Sequence, residues 1–251
     1  LGAKSNITLP DGSSVWLNAG TTLSYDADFG KSERRLLLTG EGYFDVARDK
    51  SHPFVVQTSG MVVRALGTRF NVKAYPDEKT ISATLEEGII DVMVVEEGKE
   101  KQPILLRPKE KVVFFKKVHE DDLYNANIDE VAPQSVTAAG LQQMKKKDTN
   151  VLTNVNTELY TSWKDARWII SAEQLGTLAT ALERKYNLKF VFEDPELKSY
   201  KFSGSIENET VDQIMDALRM TAPLAYSINK DTVTLRLDTQ NKNEFKRIMT
   251  R

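Results

Sequence analysis

The sequence predicts a mainly β N-terminal domain, either a β-solenoid or an irregular sandwich, followed by a small α/β domain of two βαβ-like units. Between Ile7 and Phe115 short β-branched runs alternate with turn residues, and no helical spacing interrupts them. Strand runs separated by turns about every 8 to 12 residues belong to all-β domains. Near Leu175 the apolar period changes from 2 to 3.6, and the same change recurs after Thr210.

Turn chemistry divides the first part. "LPDG" puts Pro10 at the second turn position, where its fixed φ fits, and Gly12 at the last. "SVWLNAG" then sets Val15 and Leu17 on one face before a turn at Asn18 to Gly20, and "RRLLLTGEGYFDVAR" reads as two runs broken at Gly40 to Gly42. "HPFVVQTSGMVVRALGTRFNVKAY" splits at Ser59-Gly60 and Gly67 into three strands. "TISATLEEGIIDVMVVEEGKEKQPILLRPKEKVVFF" adds four, with breaks at Glu87-Gly88, Glu97-Gly98 and Arg107 to Lys109.

From residue 116 to about 160 the chain is polar with weak periodicity, and as a whole it reads as a connector. Beyond it, Leu175, Leu178, Ala179, Leu182 and Tyr186 form one helix face, with Ser171 and Gln174 spaced as a capping box. Leu188, Phe190 and Phe192 alternate as a strand. Thr210 with Gln213, then Ile214, Ala217 and Leu218, then Leu224, Tyr226 and Ile228, repeat the design. Further strands are expected at Trp168 to Ile170, Tyr200 to Ile206 and Thr232 to Leu237. The expected divisions are 1–117 (all-β), 118–160 (connector), 161–238 (α/β) and 239–251 (polar tail).

Composition narrows the function. A net charge of -2 supplies no global basic field for nucleic acid or an anionic membrane, and Lys145 to Lys147 reads as a solvated linker. With no cysteine there is no disulfide, thiolate metal site or cysteine nucleophile. No apolar stretch approaches the roughly 18 residues that cross a bilayer. The chain opens on Leu1 without a signal pattern, so it reads as a fragment or a processed form, and any membrane anchor would lie upstream.

Candidate chemistry is sparse. His52 and His119 stand in unlike contexts, and one histidine without partners makes no metal site, so none is expected, nor any cofactor. Glu86-Glu87, and Glu41 with Asp45, are nominal carboxylate pairs, but adjacent strand residues face opposite ways, so they read as turn residues. Trp16, Trp163 and Trp168 sit among apolar residues and read as packing rather than a sugar platform. Gly67-Thr68 has two readings. It is a bend that only glycine accommodates, or a scissile bond at which the Thr68 hydroxyl attacks the preceding carbonyl.

The stretches "LPDGSSVWLNAGTTLSY", "LTGEGYFDVARDKSHPFVVQT", "VRALGTRFNVKAY" and "ATLEEGIIDV", in that order, resemble the periplasmic region of FecR-type anti-sigma factors, particularly the Bacteroidetes branch. "FSGSIENETVDQIMDALRMTAPLAYSI" resembles the small C-terminal domain that accompanies it, with a secretin/TonB N-terminus-like fold. The resemblance implies a non-enzymatic periplasmic sensor, the soluble portion of a single-pass inner-membrane protein. Its implied partner is the N-terminal signalling domain of a TonB-dependent outer-membrane transducer. An extracytoplasmic-function sigma factor would be held by a cytoplasmic segment that this sequence lacks. Some such proteins are cleaved at a Gly-Thr in this region, and Gly67-Thr68 is the matching pair. The competing readings are an extracellular carbohydrate-binding β-protein and a hydrolase on a β-scaffold. Scarce histidine and the lack of a nucleophile motif count against the hydrolase.

Overall fold

A computed structural model describes residues 2–96, 98–116 and 148–239. They form two compact units, one spanning Lys4–Lys164 and the other running from Asp165 together with the first three residues.

The first unit opens with a hairpin of β1 (Ser5–Thr8) and β2 (Ser14–Leu17). Its predicted turn closes with the Gly12 amide donating to the Leu9 carbonyl at 3.0 Å. After β3 (Thr22–Ser24), the predicted break at Gly40 to Gly42 is absent: β4 is one strand from Arg34 to Asp45. Gly40 bends it instead, at φ +116, where a Cβ would sit 2.5 Å from Thr21 Oγ1. On one side of the bend Arg34 to Leu37 pair in parallel with β5 (Phe54–Gln57). On the other, Gly40 to Asp45 pair antiparallel with β7 (Arg69–Ala74).

The splits at Ser59-Gly60 and Gly67 hold, with β6 (Met61–Ala65) following β5 and preceding β7 along the chain. β8 (Thr80–Glu87), β9 (Ile90–Glu96) and β12 (Lys111–Phe115) also follow the expected breaks. The strand expected between Gly98 and Arg107 is two pieces, β10 (Lys99–Glu100) and β11 (Ile104–Leu106), both paired with β9. Pro103 stands between them and has no amide to donate to the ladder.

With β13 (Thr149–Leu152) the described strands of this unit form a 13-stranded sheet that curls around one core. Phe44 stacks on Phe70 at 5.1 Å between ring centroids and meets Phe54 edge-on at 6.0 Å. All three rings are fully buried beside Val15, Leu36, Ile81 and Val112. This curled sheet is the mainly β N-terminal domain that the sequence predicts.

Residues 149–164, read from the sequence as connector and domain start, fold with the β unit. β13 adds to β12, and the Val155 amide donates to the Lys109 carbonyl at 3.0 Å. A short helix α1 (Glu158–Thr161) and a 3-10 turn (Ser162–Lys164) then bury Trp163, whose Nε1 donates to Asn71 Oδ1 at 3.0 Å. One indole anchors a stretch whose other residues are largely polar, which is why periodicity missed it. The rest of the expected connector, with His119 and Lys145 to Lys147, lies outside the described residues, as does nearly all of the polar tail.

The second unit runs β14 (Trp168–Gln174), α2 (Leu175–Tyr186), β15 (Lys189–Phe192), β16 (Lys201–Ile206), α3 (Val211–Thr221), β17 (Leu224–Asn229) and β18 (Thr232–Leu237). The strand-helix-strand repeat is present, but its strands pair between the repeats. β14 lies antiparallel to β16, and β15 lies parallel to β18, which also takes β17.

The two helix starts differ. Thr210 and Gln213 form the expected reciprocal box, at 2.8 and 3.3 Å. Ser171 and Gln174 do not, because β14 continues through Gln174, which is itself the N-cap. There the first helical amide, of Leu175, donates to the Tyr200 carbonyl at 2.8 Å, so strand β14 and its neighbour replace the side-chain cap. Leu175, Leu178, Ala179 and Leu182 are buried as the spacing requires. In α3 Met215 is buried and Ala217 is exposed, the reverse of the expected stripe at those two positions.

Candidate functional site

Of the positions that the sequence singles out, Gly67-Thr68 lies in the β unit beneath the chain that carries His52. Gly67 has φ +137, and a Cβ there would lie 2.9 Å from Arg48 Cα. Thr68 is 5 % exposed, and its γ-methyl occupies the space left by Gly88, where a Cβ would approach it to 2.6 Å. The chain from Val46 to Pro53 lies over this pair. The Val46 amide donates to the Thr68 carbonyl at 3.1 Å, and the Asp49 amide to the Leu66 carbonyl at 3.2 Å.

Arg34 fixes that overlying loop, and sequence reading missed it. The guanidinium is 1 % exposed. Its Nε donates to the His52 carbonyl at 2.8 Å, and Nη1 donates to the Ala47 carbonyl at 2.8 Å and to Asp11 Oδ2 at 2.7 Å. Nη2 donates to the Asp49 carbonyl at 3.3 Å, and the guanidinium carbon sits 5.3 Å from the Phe54 ring centroid. Ser13 completes the clasp, its hydroxyl donating to Asp11 Oδ2 at 2.6 Å and accepting from the Ala47 amide at 3.0 Å. The signal was present: Arg34, Leu36 and Leu38 share one strand face, and that face is the core.

His52 lies at the outer end of this loop, its Nδ1 2.7 Å from Asp49 Oδ2. Hydrogen bonds from the Ser51 hydroxyl, then from His52 and the Ser51 amide, hold the Asp49 carboxyl well below the usual carboxylate range.

The nominal carboxylate pairs are not pairs. Tyr43 donates to Glu86 at 2.9 Å, while Glu87 takes Arg69. Glu41 lies inside β4, not in a turn, and is 7 % exposed. It accepts from Asn18 Nδ2 and Asn71 Nδ2, both at 2.9 Å. Burial pushes its carboxyl above the ordinary range, against the pull of Lys73 and the two amides. Through Asn71 this buried carboxylate is linked to Trp163, so it serves packing of the 149–164 segment. None of the three tryptophans is among the exposed large apolar side chains.

Among the described residues, Thr68 Oγ1 is the one buried side-chain oxygen or nitrogen without a hydrogen-bond partner. Valine has the same shape without the hydroxyl. Thr68→Val is therefore expected to raise unfolding stability by about 1 kcal/mol, since it removes an unpaired polar group. Urea denaturation of both proteins measures this, and a destabilised variant would show that the hydroxyl is satisfied in solution.

Residues 1–91 match the FecR protein family, and residues 167–235 match the FecR C-terminal family. Two crystal structures, at 1.65 and 2.50 Å, of a Parabacteroides distasonis protein designated a putative anti-sigma factor share this fold. Each has a TM-score of 0.72 and 24 % identity. The first covers 93 % of this chain and 94 % of its own, the second 94 % and 95 %. No curated relative matches the chain. The chain belongs to the FecR family of anti-sigma factors, with a role in sigma-factor regulation.

Proposed function

We propose that the chain is the periplasmic sensor portion of a single-pass inner-membrane anti-sigma factor. It would relay the state of a TonB-dependent outer-membrane transducer to an extracytoplasmic-function sigma factor. The observation that supports this is the succession, in one chain, of a FecR unit and a FecR C-terminal unit. The transducer contact is assigned to the α/β unit. Its outer strands β15 and β17 are each paired on one side only among the described residues. Open edges of this kind accept a further strand from a partner. The sigma factor would bind a cytoplasmic segment outside these residues.

Titration calorimetry of the chain with the N-terminal signalling domain of its transducer is expected to give saturable one-to-one binding. No heat, together with no complex on gel filtration, would refute the proposal. The carbohydrate-binding alternative draws no support from the tryptophans, which are all at least partly covered.

Gly67-Thr68 is not expected to cleave itself. The Thr68 hydroxyl has no hydrogen-bonded base among the described residues to take its proton. Intact mass spectrometry after prolonged incubation at neutral pH is expected to return the full-length mass alone. Two fragments dividing between Gly67 and Thr68 would reverse this.

A further inference from the structure

Beside Gly67-Thr68 the β unit holds an open groove of about 660 Å³. Arg48, Lys50, Arg64, Leu66, Ile89 and Asp91 are among its lining residues. Leu66 and Ile89 are 45 % and 56 % exposed, and Ile89 is the most exposed large apolar side chain described on this unit. They are neighbours by register. β6 and β9 pair up to Ala65 opposite Ile90, and these two residues are the next step beyond that ladder.

The charges around this apolar floor are unbalanced. Asp91 stands opposite Arg64 in the ladder, and Glu100 lies 3.7 Å from Arg64, so that cation is answered locally. Arg48 and Lys50 are exposed and have no ion-pair partner among the described residues. With Glu100 counted beside the lining residues, three cations (Arg48, Lys50 and Arg64) stand against two carboxylates (Asp91 and Glu100), so the groove carries a net positive charge on a chain whose net charge is -2.

The rim is tied to the fold beneath it. Arg48 packs on Gly67, the loop carrying Arg48 and Lys50 is bonded to the Leu66 and Thr68 carbonyls, and buried Arg34 holds the same loop from beneath. Preorganisation lowers the ordering cost of binding.

We infer that this groove binds an extended acidic segment of a partner protein, seating an apolar side chain on Leu66 and Ile89 and its carboxylates on Arg48 and Lys50. The groove's charge selects against basic segments by like-charge repulsion. This binding site lies on the β unit and is independent of the strand-edge contact assigned to the α/β unit.

The test uses the full chain, ¹⁵N-labelled, and a capped hexapeptide of two central leucines flanked on each side by two glutamates. Saturable binding is expected, with amide shifts concentrated at residues 48–50, 64–68 and 88–91. Peptides with lysine in place of glutamate, or serine in place of leucine, are expected not to saturate. An Arg48→Gln/Lys50→Gln variant keeps the β-carbon and γ-carbon that Arg48 lays on Gly67, and is expected to bind about tenfold more weakly. Leu66→Ser is expected to weaken binding while leaving the salt dependence unchanged. Absence of saturable binding, equal binding of either control peptide, or shifts centred elsewhere would overturn the assignment.

Discussion

Arg34→Met is expected to lower the unfolding stability of the β unit by about 3–5 kcal/mol, the cost of breaking a buried ion pair from one side. Methionine fills much of the space but offers no donor. It would leave the Asp11 carboxylate, only 13 % exposed, without its counter-charge. It would also strip donors from the carbonyls of Ala47, His52 and Asp49. Arg34→Lys is expected to recover part of the loss, because one ammonium cannot reach acceptors that a planar fork spans. Adding Asp11→Asn to Arg34→Met removes the orphaned charge, so the double variant should be more stable than Arg34→Met alone. Urea denaturation followed by the fluorescence of Trp16 and Trp163 measures each step. A loss below about 1 kcal/mol for Arg34→Met would show that the loop is held by its backbone contacts alone.

These same residues show what periodicity reveals and what it hides. β5, β6 and β9 were legible because each is a β-branched run ended by a glycine or a polar turn, and β7 because Phe70, Val72 and Ala74 alternate with polar residues. β4 was misread because a glycine marks a turn and a strand bend with equal force, and only contact with Thr21 distinguishes them at Gly40. Polar side chains at inward positions were the larger loss. Arg34 and Glu41 are buried because partners far away in sequence complete them: Asp11 and the 47–52 carbonyls for one, Asn18 and Asn71 for the other. An alternating pattern names the two faces of a strand without saying what covers each.

The helix caps make the same point at closer range. Ser171 with Gln174 and Thr210 with Gln213 have the same residue spacing, yet only the second forms a box. At the first, Ala172 at φ +47 and a register shift after Ile170 keep the chain in β14, so the helix starts later. At the site, Gly67-Thr68 was legible as a special position. Its surroundings were not, since Arg48, Gly88 and the Val46 amide reach it only through the tertiary fold.

Gly67→Ala is expected to destabilise the β unit by about 3 kcal/mol, a backbone conformation that L side chains rarely adopt adding to a steric clash. At φ +137 alanine is strained before any neighbour is considered. Its methyl would then meet Arg48 Cα at 2.9 Å, and Cα belongs to a loop already bonded through Asp49 and Val46 to the chain beneath it. Neither strain nor clash has a side-chain remedy. Gly88→Ala differs in kind. Its φ is also positive, at +90, but the atom its methyl meets is Thr68 Cγ2 at 2.6 Å. Serine at position 68 lacks that atom. Thr68→Ser should therefore restore part of the stability lost in Gly88→Ala and none of that lost in Gly67→Ala. Denaturation of the two single and two double variants separates these outcomes. Equal rescue of both glycine variants would mean that Arg48 can withdraw, and that the loop over Gly67-Thr68 is not fixed in place.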